Sequence, residues 1–353
     1  MAKAASTMPE LDPRRTLTLD QLLGNEPLCA FLRRAWREGR LPQSLLLAGP
    51  QGLGKTSMAY GLAREIVAEG EDPATHPRAL KVERGTHPDL IALTGKGSVS
   101  GIIPVDAVRE MESRISMMPL EAPRKIVVIE PAEALNISSA NALLKLLEEP
   151  PRSALFILIS SDPNRLLTTI RSRCTVLELR PVPLDQLTAW LERGGAEPGR
   201  ALLAAMLAEG RPGLAKALLE GGALEQRAEI LRWLMQLGKE GFAGLFGVAE
   251  RFAAAPGGFG ACFQTAMILL RDALTLNLAA QAPGEATAPR VLNHDLVEEL
   301  RGFAQGRSAA GLLQAAEQFE RAAAEAAYFY AQGSKLHFCE CLLMQIGPAL
   351  RSV

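Results

Sequence analysis

The stretch Gly49-Pro50-Gln51-Gly52-Leu53-Gly54-Lys55-Thr56 satisfies the spacing G-x-x-x-x-G-K-[ST] at every position, and it constrains the fold more than any other part of the 353-residue chain. The pattern has meaning only between a strand and a helix. That context is present: SLLLA (Ser44 to Ala48) is a short apolar run suited to a buried strand, and TSMAYGLAREIVA (Thr56 to Ala68) recovers a helical period. The three glycines let backbone N–H groups wrap a phosphate at a helix amino terminus, Lys55 can bridge the outer phosphates, the Thr56 hydroxyl can hold magnesium, and Ser57 belongs to the same nucleotide-binding set. A bare strand-to-helix turn is the alternative, and the flanking elements argue against it.

Strand and helix alternate around this loop. The sequence predicts a helix over 21–37, a surface excursion over 69–86, a short strand near 87–93, a glycine-serine turn at 95–101, and a helix over 105–117. Then follow the strand KIVVIE (125–130), a capped helix from 136–138 to the double proline Pro150-Pro151, the strand ALFILIS (154–160), a helix near 165–171 and a last strand over 174–179. This order predicts an α/β domain with a parallel sheet and helices on both faces. Beyond Pro181-Val182-Pro183 the pattern is helical only, first short helices to Gly222, then longer Ala/Leu-rich ones. The expected domains are 1–182 for nucleotide binding, 183–222 as a small all-α lid, and 223–353 as an all-α collar.

Composition excludes little beyond extremes. Hydrophobic residues make up 48% and charged ones 22%, and a formal net charge of -1 provides no global field to hold DNA or an anionic membrane. The five cysteines, Cys29, Cys174, Cys262, Cys339 and Cys341, form no CxxC pair. Residues 57–101 contain no cysteine, and His76 with His87 cannot complete a tetrahedral site, so zinc is not expected. The amino terminus has no apolar h-region, and no apolar run reaches membrane-spanning length, so a cytoplasmic protein without membrane contact is expected.

A hydrolytic enzyme built on this loop also needs an acid at the end of a neighbouring strand and a further carboxylate to activate water. In KIVVIEPAEAL, Glu130 stands on the magnesium side, or else is an ordinary exposed strand-end acid. The next position, where a water-activating Glu belongs, is Pro131. Proline accepts no proton, which predicts binding of ATP or ADP with Mg2+ and weak or absent hydrolysis.

Together with NALLKLLEEPP (Asn141 to Pro151) and IRSRC (Ile170 to Cys174), these residues resemble the clamp-loader branch of the AAA+ superfamily from about Leu19 to Pro183. The resemblance implies an ATP-binding AAA+ domain, a lid, and a collar joining a hetero-oligomeric ring that places a sliding clamp on primed DNA. Partners would be gamma/tau and delta types of loader subunit, the clamp, and DNA through the assembly. The resemblance gives Arg173 the role of an arginine finger acting in trans on a neighbour's ATP, and makes Ser160 or Ser161 a sensor candidate, although serines there also cap loops. Arg171 reads better as a charge at a helix carboxyl end. The lid position that carries an Arg in active relatives is Gly213, with Arg211 two residues earlier and expected to face solvent. A stator that activates its neighbour is therefore expected; the alternative is an active loader ATPase of gamma/tau type.

Overall fold

The computed structural model describes residues 16–95, 101–220, 223–240, 242–255, 259–281, 291–326 and 334–350. The chain divides into two compact units, the first ending at Val182 and the second beginning at Pro183. The predicted turn at 95–101 and the glycine pairs Gly221-Gly222 and Gly257-Gly258 lie wholly or mostly outside the described residues.

In the first unit, α1 (Glu26–Arg37), β1 (Ser44–Ala48), α2 (Lys55–Ala68), α3 (Pro77–Glu83), β2 (Leu90–Thr94), α4 (Val105–Ile115), β3 (Lys125–Glu130), α5 (Ile137–Glu148), β4 (Ala154–Ser160), α6 (Thr168–Arg171) and β5 (Thr175–Glu178) follow one another. The five strands form one parallel sheet in the order β2-β3-β4-β1-β5. β1 and β4 are buried along their whole length, and successive side chains enter opposite cores. Leu45, Leu47, Leu155 and Ile157 pack with Leu32, Met58 and Ile66 on one face, whereas Leu46, Phe156 and Leu158 pack with Val108, Met111 and Leu143 on the other. A strand covered on both faces needs a continuous apolar run rather than an alternating one, which is why SLLLA and ALFILIS are legible as sheet-centre strands.

Three elements differ from expectation. The predicted helix over 21–37 is a short 3-10 turn at Leu19–Gln21 followed by α1, because Gly24 (φ 70°) and Asn25 (φ 59°) take left-handed backbone that breaks a single helix. The surface excursion contains α3, capped by His76 and opened by Pro77, with Ala79 and Val82 buried. Its two apolar contacts in seven residues are too few to show a period. The helix near 165–171 is reduced to a 3-10 turn at Pro163–Arg165 and the four-residue α6. The segment that precedes α3 is fastened by Arg64, buried on α2, whose guanidinium donates to the Pro73 carbonyl and pairs with Glu83 at 3.2 Å.

The second unit is helical throughout its described residues: α7 (Leu184–Arg193), α8 (Pro198–Ala208), α9 (Pro212–Glu220), α10 (Ala223–Glu240), α11 (Phe242–Ala254), α12 (Phe259–Gln281), α13 (Val297–Ala304), α14 (Ala309–Ala326) and α15 (Lys335–Ile346). From α10 onward these helices enclose one core in which Trp233, Phe252, Phe263 and Phe319 meet in edge-to-face and tilted pairs at centroid separations of 5.2–5.8 Å. Buried Asp272 on α12 accepts from the amides of Leu292 and Asn293, and Arg227 on α10 donates to Asn293 and pairs with Asp295 at 2.8 Å. Those bonds fix the chain that leads into α13.

Candidate functional site

The phosphate loop lies at the carboxyl end of β1, where open α/β sheets bind ligands. Gly49, Gly52 and Gly54 have φ of 134°, 92° and 91°, a region that side chains rarely enter. A Cβ on Gly49 would meet the Leu179 carbonyl at 3.0 Å and Leu53 Cδ1 at 3.1 Å, so the start of the loop leaves little space for a side chain. α2 begins at Lys55, which places Lys55, Thr56 and Ser57 in its first turn, all buried.

Lys55 Nζ donates to the carbonyls of Gly49 at 2.5 Å and Pro50 at 2.8 Å, across the concavity of the loop. Burial pushes its ammonium down to about 8, against the opposing attraction of Glu133 and Glu130. β4 separates β3 from β1, yet Glu130 at the end of β3 meets the loop: the Thr56 hydroxyl donates to Glu130 Oε1 at 2.5 Å. Glu130 therefore faces the site rather than open solvent. The residue after it is Pro131, which presents no acceptor side chain there.

Sequence reasoning missed Glu133, in the 3-10 turn Ala132–Ala134 that follows Pro131. One carboxylate oxygen accepts from the Ser160 hydroxyl at 2.7 Å and from the amides of Ser161 at 2.6 Å and Asp162 at 2.8 Å, which caps the end of β4. The other oxygen is buried without a hydrogen-bond partner among the described residues. The Ser160 hydroxyl is thus engaged by Glu133, and Ser161 contributes its backbone amide. No spacing rule singles out an acid three residues past a strand end, which is why the sequence carried no signal for Glu133.

Arg173 lies just beyond α6, whose buried Ile170 anchors it to the sheet. Its side chain is about one-third exposed, with Nη1 donating to the Thr169 carbonyl at 3.0 Å and Nη2 2.6 Å from Glu148 Oε1 at the end of α5. Arg171 instead donates to the Asn164 side chain at 3.0 Å. Burial pushes the Cys174 thiol up to about 11, so this cysteine is packing rather than a nucleophile.

Arg211 departs from expectation. It is mostly buried, donates to the Ala208 carbonyl at 2.9 Å and lies 3.8 Å from Glu209, an acid also paired with Arg271. The turn Glu209-Gly210, with φ of 50° and 77°, folds it back onto the carboxyl end of α8. Gly213 is the second residue of α9.

Among the described residues, no cluster of three or more His, Cys, Asp or Glu side chains is arranged to hold a metal by itself, and no helix is long and apolar enough to cross a membrane. His87 and Asp89 serve the fold. Asp89 is fully buried and accepts from the amides of Leu120, Glu121 and Ala122, with Lys125 at 3.4 Å. Burial alone would raise its carboxyl, but those bonds outweigh it and hold the group below the usual range.

A parallel sheet with the P-loop on an internal strand, an acid from a next-but-one strand on the loop threonine, and covering helices on both faces define a P-loop α/β fold of AAA+ type. The family model described as "DNA polymerase III, delta subunit" matches residues 24–183. The DNA polymerase III subunit delta' of Escherichia coli (strain K12) is 35% identical over 208 residues, covering 57% of this chain and 61% of that protein. Its counterpart in Pseudomonas aeruginosa is 37% identical over 207 residues, with 56% and 62% covered. The DNA polymerase III subunit tau of E. coli is 31% identical over 182 residues, covering 50% of this chain and 28% of tau. Through its α/β unit the chain is similar to the delta' and tau subunits of DNA polymerase III. The chain spans about three fifths of the length of those delta' relatives.

Proposed function

We propose that this chain is a delta'-like subunit of a DNA polymerase III clamp loader. It binds ATP or ADP with Mg2+, hydrolyses it poorly, helps to load the sliding clamp onto primed DNA during replication, and supplies Arg173 to the ATP site of an adjoining subunit. The observation that carries the reading is the pairing of a complete phosphate loop with Pro131 at the water-activating position. Gly49, Gly52 and Gly54 would surround the phosphates with amides, Lys55 would leave the Gly49 and Pro50 carbonyls for the outer phosphates, and Thr56 with Glu130 would hold the metal shell. Bound magnesium supplies charge neutralisation on the phosphates. The donor set fits that group, since the closely paired Thr56 and Glu130 are both oxygen ligands. A positioned general base typically contributes about 10²–10⁴ in rate, and Pro131 supplies none.

Residues 183–222 serve as the lid and 223–353 as the collar that meets other subunits, gamma/tau and delta in type, of a hetero-oligomeric cytoplasmic assembly. An active gamma/tau-like ATPase is the second reading, favoured by the intact Lys55, Thr56 and Glu130. Steady-state ATP turnover by the purified chain, beside a direct measurement of ATP binding, decides between them. Binding with turnover near background supports the stator; turnover typical of an ATPase supports the second reading.

A further inference from the structure

We infer that Glu148 is a positioning residue for Arg173, holding the finger arginine on the surface of its own unit in the orientation from which it engages a partner's nucleotide. This inference rests on the trans role proposed above for Arg173. Glu148 is the last residue of α5, next to the buried Leu146 and Leu147, and Pro150-Pro151 end the helix immediately beyond it. Ile170, buried on α6, fixes the other side of the pair. The ion pair of 2.6 Å therefore joins two anchored elements, and the Thr169 carbonyl takes a second guanidinium donor. That arrangement leaves further N–H groups of Arg173 to face outward toward an anion.

The charge around Glu148 makes the pairing informative. Glu148 and Glu149 stand at the carboxyl end of a helix, where the macrodipole disfavours acids, and the last turn of α5 holds only Lys145 as a cation of its own. Arg173, arriving from a different element, supplies the compensating charge. Arg171 is engaged by Asn164 and does not compete. An arginine carries many rotamers, and one already held by a carboxylate loses less freedom when it meets a phosphate. Both side chains are partly exposed, so the pair contributes little to folding, and its effect on position is separable from any effect on stability.

The test uses the full chain assembled with the other loader subunits, clamp and primed DNA. ATP turnover is measured against ATP concentration for the wild type, Glu148→Gln, Glu148→Ala, Arg173→Ala and the double variant Glu148→Gln/Arg173→Ala. We expect Glu148→Gln to lower kcat at the site served by Arg173 on the order of ten-fold, with KM and the melting temperature of the chain unchanged. In the Arg173→Ala background the same substitution should produce no further loss. If Arg173→Ala lowers turnover while both Glu148 variants match or exceed the wild type, the positioning role is overturned and the finger role stands. A Glu148→Gln loss that persists in the Arg173→Ala background also overturns it, because the carboxylate would then act elsewhere. If Arg173→Ala itself changes nothing, the finger reading falls and takes the positioning role with it.

Discussion

The phosphate loop and the Arg173 corner belong to the same α/β unit but are built in opposite ways. Around the loop everything turns inward: Lys55 is 6% exposed, its ammonium bridges two loop carbonyls, and Thr56 is bonded to Glu130. At the corner the cation faces outward, with a side chain 33% exposed and, among the described residues, Glu148 as its carboxylate partner. The first region is a receptor whose water-activating position is filled by Pro131. The second is a cation whose recorded partners are the Glu148 carboxylate and the Thr169 carbonyl. On the proposed reading, one unit would keep the parts for holding a nucleotide and for acting on a neighbour's while lacking a part needed to use its own.

The largest expected effect breaks the outward half of this comparison. Loss of a trans-acting arginine typically costs about 10³–10⁵ at the site it serves, so Arg173→Ala should abolish turnover there. Total ATPase of an assembly with several sites should fall only in part, and clamp loading onto primed DNA should fall further. Assembly itself, followed by size-exclusion chromatography, should be unchanged, because a partly exposed arginine contributes little to folding.

Next in size is a change that touches neither site. Breaking a buried ion pair typically costs about 3–5 kcal/mol, so Asp89→Asn should lower the stability of the α/β unit by an amount of that order in urea unfolding. The carboxyl of Asp89 is depressed in the folded chain, so its contribution is complete above the ordinary aspartate range. It is lost as pH falls through the lower folded value. The difference between variant and wild type should therefore shrink only in strong acid. Nucleotide binding by the surviving folded protein should remain, which sharpens the distinction between scaffold and site.

Lys55→Ala tests the inward half. A charge-assisted hydrogen bond contributes about 1.5–3 kcal/mol, which corresponds to an ATP affinity weaker by roughly ten- to a hundred-fold in equilibrium dialysis. The smallest effect is on pH dependence. Because the buried ammonium of free Lys55 titrates at about 8 and a bound phosphate favours its charged form, affinity should be flat below that pH and decline above it. The slope should not exceed about ten-fold per pH unit, and it should vanish in Lys55→Ala.

How much of this was legible follows from how each residue is held. The loop, β1, β3 and β4 could be read because strands buried on both faces demand uninterrupted apolar runs, and because the glycine, lysine and threonine positions are fixed by phosphate geometry. Glu130 could be placed because a strand end is predictable. Glu133 could not, since its role as a cap for Ser160, Ser161 and Asp162 depends on the neighbouring strand meeting it in space. The pairing of Glu148 with Arg173 was hidden for the same reason: LLEEPP and SRC were both visible, but their contact spans 25 positions, from 148 to 173. Arg211 was misplaced because the left-handed turn at Glu209-Gly210, which directs it back onto α8, has no strong sequence mark at the glutamate. The aromatic core around Phe252 and Phe263 likewise joins helices too far apart in sequence to show a pattern.

The proposal that this chain holds a nucleotide without turning it over is tested most directly by ATP binding and steady-state hydrolysis of the purified full chain, in the same buffer with Mg2+. Saturable binding that Lys55→Ala weakens is expected, with phosphate release close to the spontaneous background. Saturable binding accompanied by a turnover number of about 1 per second or more, the range of ordinary enzymes, would contradict it. Glu133 or another acid would then have to activate water despite Pro131.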